Sequence, residues 1–190
     1  MQHLPLLSSF KRLKWAGLAT AGLACVMALS DIIINTAMWH SGLISTGYLE
    51  FWGESIPLLL AEDYQLPTLN LVLLVALDYV PVLISSLGLL LTGLFFLRLS
   101  RRELWSTRNA RLLMTIGGLS ILGLVLQPVL YTLTGLVLSL GLPPGEGLLA
   151  VSVGFNTESM SELLKAVFVC SFGFMMNEAR SLNEEVKAFV

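Results

Sequence analysis

The sequence predicts an all-α integral membrane protein, a four-helix bundle with both termini in the cytoplasm. Three observations predict it. Of the 190 residues, 55% are hydrophobic and only 13% charged, with a mean hydropathy of +0.80; a soluble domain carries roughly a quarter charged residues. Four stretches have, or nearly have, the about 20 apolar residues that a helix needs to cross a bilayer core about 30 Å thick. The basic residues, Lys165 apart, are confined to alternate connections. This composition excludes intrinsic disorder, which requires low hydrophobicity and high charge. The formal net charge of −2 carries no basic footprint of direct nucleic-acid binding.

The first span is expected over about 16–39, after Lys11, Arg12 and Lys14. A cleaved signal peptide fits less well. Leu23-Ala24-Cys25 faintly resembles a lipoprotein site, but Gly22 stands where such a site needs a branched aliphatic residue. The apolar run also continues well past Cys25, longer than a signal core. The second span, about 71–97, ends at a connection carrying Arg98, Arg101, Arg102, Arg108 and Arg111, and the third follows over about 112–140. The fourth, about 160–176, is short but continuous with a helical tail at 177–190.

Loops 40–70 and 142–159 contain no Lys or Arg; they hold Glu50, Glu54, Glu62, Asp63, Glu146 and Glu158. Positive residues stay on the cytoplasmic side during insertion, so these loops face outward and the arginine-rich connection faces inward. Trp15, Trp39 and Trp105 fall near span ends, where an indole sits among headgroups with its N–H wet. The first outer loop is expected along the membrane face, with Phe51, Trp52 and Leu58 to Leu60 dipped in and its acids wet. No internal repeat is visible, and the chain reads as a single transmembrane domain.

Ionisable groups inside a bilayer are costly, so each requires an explanation. Asp31, Asp78, Gln127 and Lys165 lie in the four spans, at roughly 16–28 Å from the cytoplasmic ends at 1.5 Å rise per residue. The expected arrangement is an Asp31–Lys165 or Asp78–Lys165 ion pair, with Gln127 filling the remaining hydrogen bonds. Such a layer serves either as a clasp between helices or as a relay or outward-opening pocket. Small residues, Gly17, Ala21, Gly22 and Ala24 in the first span and Gly117, Gly118 and Gly123 in the third, allow close helix contact. Tyr79-Val80-Pro81 and Gln127-Pro128 are candidate kinks.

On the inner side, the five arginines are expected to meet anionic lipid heads, at about 1 kcal/mol each. In the tail, Ala179, Leu182, Val186 and Phe189 recur at helical spacing. That apolar edge packs on the basic connection or receives a partner, and Glu178, Glu184 and Glu185 are placed to meet the arginines. No H-E-x-x-H, Cys-x-x-Cys, G-x-S-x-G or P-loop occurs, and no pair of histidines on facing helices is available for haem. Cys25 and Cys170 are too few for a thiolate metal cluster. Neither an enzyme nor a cofactor is expected.

Two segments carry a resemblance. Glu103-Leu104-Trp105-Ser106-Thr107-Arg108-Asn109-Ala110-Arg111 leads through Leu112-Leu113-Met114-Thr115 to Ile116-Gly117, and Phe174-Met175-Met176-Asn177-Glu178-Ala179-Arg180-Ser181-Leu182-Asn183-Glu184-Glu185-Val186-Lys187-Ala188-Phe189-Val190 carries the tail. Together with length and hydropathy over nearly the whole chain, they resemble the bacterial four-span family known as domain of unknown function 2975. That family marks the start of the third span with an aromatic, Ser or Thr, Asn and then Ile-Gly; here Trp105 stands where Phe is more usual. The resemblance implies a cytoplasmic helix-turn-helix regulator as partner and the bacterial inner membrane as location, and it supplies no enzymatic residues. The leading expectation is a non-enzymatic sensor or regulator whose partners are membrane lipids, that regulator and, in a homo-oligomer, further copies. The alternatives are a small transporter or ion pathway using the intramembrane charges, and a structural or immunity-type membrane protein.

Overall fold

The computed structural model describes residues 4–61, 64–101, 106–143 and 157–188, with backbone alone for 4–13, 157–158, 183 and 186–188. The described residues are all-helical: α1 (Leu4–His40), α2 (Leu43–Gly53), a single 3-10 turn at Pro57–Leu60, α3 (Thr68–Ser100), α4 (Thr107–Ser139) and α5 (Thr157–Ala188). Four stretches are long and apolar enough to cross a membrane, Lys14–His40, Thr68–Ser100, Thr107–Ser139 and Ser159–Leu182, so this is a multi-pass membrane protein. The helices outrun the expected spans because a helix continues past the last apolar residue until a cap or turn stops it.

Local chemistry explains the ends. Gly42 adopts φ 78°, a left-handed conformation that glycine takes without a Cβ clash, and its N–H donates to the Trp39 carbonyl at 3.1 Å. The chain turns there from α1 into α2. At the start of α4, Ser106 Oγ accepts the Asn109 N–H at 3.2 Å, which satisfies one of the helix's free first-turn donors. Pro81 and Pro128 lie inside α3 and α4, and both helices continue through them. Each proline removes one i→i−4 hydrogen bond, a loss that membrane helices tolerate when neighbours re-satisfy the backbone.

The contacts divide the chain into two units. Unit 1 comprises Met1–Ser30, Ile84–Leu124 and Thr157–Val190. Two seams of small residues hold its helices together. Along α1, Gly17, Ala21, Ala24 and Ala28 recur at helical spacing and face α3. A Cβ on Gly17 would come within 2.9 Å of the Phe96 carbonyl, one on Gly93 within 3.2 Å of the Ala21 carbonyl, and Ser86 donates to the Ala28 carbonyl at 3.2 Å. Between α4 and α5, a Cβ on Gly117 would approach the Ala166 carbonyl to 2.8 Å. Ala110, Leu113 and Met176 form a small buried cluster beside that seam. Where lipid is as apolar as leucine, close backbone approach supplies the packing that hydrophobic burial supplies in water.

Unit 2 comprises Asp31–Leu83 and Val125–Asn156. Its core is larger and aromatic: Trp52, Ile56, Leu59, Leu74, Val137 and Leu138 are buried together. The Trp52 carbonyl accepts from Ser55 and Ile56 at 3.0 and 2.8 Å, which folds the chain back after α2 and buries Ile56. Buried Asn70, in the first turn of α3, donates from Nδ2 to the carbonyls of Val137 and Leu140 at 3.0 and 2.8 Å. It thereby caps the end of α4, where the Val137 carbonyl also accepts the Leu140 N–H at 3.2 Å.

Candidate functional site

The polar centre of unit 2 is Asp78, on α3. Trp39 Nε1, in the last turn of α1, donates to one carboxylate oxygen at 2.7 Å, and the Tyr48 hydroxyl of α2 donates to the other at 2.9 Å. The two donor rings lie 6.1 Å apart, and on the next residue the Tyr79 hydroxyl shares a 2.6 Å hydrogen bond with Thr36 of α1. Three helices are therefore tied by neutral donors to one acceptor. Burial first, then the adjacent Asp78 charge and the hydrogen bond to it, push the Tyr48 phenol well above its usual 10.0. Tyr48 stays a protonated donor throughout the neutral range.

Beside Asp78 a cleft of ≈ 420 Å³ opens between α2, α3 and α4. That size falls in the range of small-molecule sites, about 300–1,000 Å³. Asp78 and Tyr48 supply its polar wall, and Phe51, Trp52 and Tyr131 most of its aromatic one. The Trp52 and Tyr131 centroids are 4.7 Å apart, and the Phe51 ring meets each of the two nearly edge-on, at 5.8 and 6.2 Å. Trp52 is 2% exposed because Gly135 lets α4 pass against it; a Cβ at that glycine would stand 2.7 Å from the indole. Pro81 also lines the cleft, and the hydrogen bond it cannot give belongs to Leu77, another lining residue.

The electrostatic setting is one-sided. All 11 lysines and arginines of the sequence fall in the segments of unit 1, and those of unit 2 hold none. Unit 2 has Asp31, Glu50, Glu54 and Asp78 among its acids, and His40 is its histidine. The site combines an apolar, aromatic enclosure with one hydrogen-bonded carboxylate. It can bind and orient a small molecule. Among the described residues, no group of three or more His, Cys, Asp or Glu side chains is placed to hold a metal ion.

The expected polar layer is distributed differently from its reading in the sequence. Asp78 takes its hydrogen bonds from Trp39 and Tyr48, where a pair of Lys165 with either Asp31 or Asp78 was expected. Asp31 is half-buried and Gln127 exposed, both in unit 2, while Lys165 is exposed and belongs to unit 1. The Trp39 indole is not wet; its N–H is consumed by Asp78. Trp52 and Leu59 do not dip into lipid but sit in the core, whereas Phe51 and Leu60 are exposed as expected.

On the basic side, Arg98 is half-buried, and Arg101, Arg108 and Arg111 are exposed. Glu184 pairs with Arg180 one turn earlier, at 2.6 Å, where a contact with the basic connection was expected. Ala179 and Leu182 are exposed. Arg102, Trp105, Glu62, Asp63, Glu146 and Phe189 lie outside the described residues, as do the side chains of Glu158 and Val186.

The sequence suggested a membrane-surface segment around Tyr48 to Trp52 but gave no role to Tyr48 or Tyr131 in a site. A signal for them was available: Ile44, Tyr48, Phe51 and Trp52 recur at i, i+4, i+7 and i+8, the pattern of a helix with one packed face. Comparison of the chain with family models, with curated proteins and with solved structures finds no match.

Proposed function

We propose that this chain is a non-enzymatic sensor of the bacterial inner membrane that receives a small molecule in the cleft beside Asp78. Both termini lie in the cytoplasm, where the basic connection and the end of α5 present the signal to a helix-turn-helix regulator. The single observation that carries this reading is the cleft itself: an aromatic enclosure with one oriented carboxylate on its wall. Such a combination selects and holds a ligand. Two further features support the inner end of the pathway. Helices α3 and α4 run from the cleft residues to the arginine-bearing connection, and Ala179 and Leu182 leave an apolar edge of α5 exposed. The resemblance of the 103–117 and 174–190 segments to a bacterial four-span family supports the regulator as partner.

Deleting residues 177–190 leaves insertion intact and removes the regulator from the products of crosslinking in native membranes, read by mass spectrometry. An unchanged set of crosslinked products from the truncated chain overturns the proposal.

A further inference from the structure

We infer that the ligand of the cleft is a lipophilic monocation, an organic ammonium or phosphonium with apolar or aromatic substituents. This rests on the reading of the cleft as a ligand site and narrows its chemistry. Asp78 is hydrogen-bonded by two neutral donors and lines the cavity, so its environment orients the carboxylate without neutralising it. No lysine or arginine lies in unit 2 to do so. A carboxylate in an apolar, partly desolvated wall attracts an opposite charge far more strongly than one in water. Around it, Tyr48, Phe51, Trp52 and Tyr131 line the cavity, and an aromatic ring that turns its face to a cation attracts it by about 0.5–2 kcal/mol. A neutral ligand leaves the carboxylate uncompensated, and an anion is repelled by it.

The rim selects for lipophilicity. Phe51 and Tyr131 are both exposed at the cleft, as is Pro81, and all three present apolar surface. Tyr131 and Pro81 stand within membrane-crossing stretches. A cation that partitions into the bilayer reaches such a mouth directly, whereas a small hydrated cation loses its water there with only one carboxylate to replace it.

The test is equilibrium dialysis of radiolabelled tetraphenylphosphonium and tetraphenylborate, ions of one shape and opposite charge, against the full chain in detergent. The phosphonium binds saturably at one site per chain and the borate does not. Asp78→Asn, which retains an acceptor for Trp39 or Tyr48, weakens phosphonium binding by about tenfold or more. Gly47→Trp abolishes it; Gly47 lines the cleft and a Cβ there meets nothing within 4 Å, so an indole has room to enter the cavity without displacing the helix. The two variants keep wild-type elution volume and helical circular dichroism. Absence of saturable phosphonium binding, or wild-type binding by Asp78→Asn, overturns the cation inference. If both ions bind and Gly47→Trp removes both, the cation inference falls and the cleft remains the ligand site. If Gly47→Trp leaves phosphonium binding intact, the ligand-site reading falls with it.

Discussion

Asp78 shows what one acidic side chain within a membrane span demands. An unpaired carboxylate there is costly, so the fold surrounds it with donors, and it recruits neutral ones. Tyr48 registers that environment, since burial and the Asp78 charge raise its phenol above the usual 10.0. Below that pH the phenol keeps its proton folded or unfolded, and its contribution to stability is complete. Above about pH 10 the unfolded phenol ionises while the folded one resists, so stability falls as pH rises towards the raised folded value. Thermal unfolding in detergent from pH 7 to about 11 therefore destabilises wild type more steeply above pH 10 than Tyr48→Phe. Equal slopes refute the coupling. The need for a partner at Asp78 was legible in the sequence, whereas its identity was not. Lys165 offered the obvious opposite charge, but Trp39 and Tyr48 stand 39 and 30 residues away, and a span-end indole reads equally well as wet or bonded.

Among the elements, the four spanning helices were legible and the fifth, α2, was not. A span announces itself by length and hydropathy, which lipid imposes on every exposed face. Helix α2 spans only Leu43–Gly53, and its apolar residues suit a membrane surface as well as a core. Which face of a span meets its neighbour is hidden for the same reason. Gly117 and Gly118 are adjacent and chemically identical, and both drew attention as packing residues. Gly117 faces α5, where a Cβ would come within 2.8 Å of the Ala166 carbonyl and 2.9 Å of the Cys170 nitrogen; at Gly118 a Cβ meets nothing within 4 Å. Besides the Cys170 sulfur, these two obstacles at Gly117 are backbone and cannot swing aside. Gly117→Ala lowers stability by about 1–3 kcal/mol, seen as a lower unfolding midpoint in detergent. Gly118→Ala is neutral or slightly stabilising, because alanine is the better helix former. Equal midpoints for the two variants contradict the α4–α5 seam.

For the whole molecule, the dominant pattern is segregation of charge. All 11 lysines and arginines belong to the segments of unit 1, although the chain passes between the units several times. Folding alone does not require this, since exposed lysines and glutamates are equally soluble at either end of a membrane helix. Insertion does: positive residues near span ends are retained in the cytoplasm, so loops that cross must lack them. On the proposed orientation the connection after α3, with Arg98 and Arg101, lies inside, and α2, without a single basic residue, outside. Two exposed positions report the two sides, Arg101 for the inner connection and Thr46 for α2. In a background with Cys25→Ala and Cys170→Ala, a membrane-impermeant maleimide applied to intact cells labels Thr46→Cys and spares Arg101→Cys until the cells are opened. The reverse pattern inverts the orientation, and with it the side from which the Asp78 cleft is approached. Labelling of both positions in intact cells contradicts the single crossing by α3 between them.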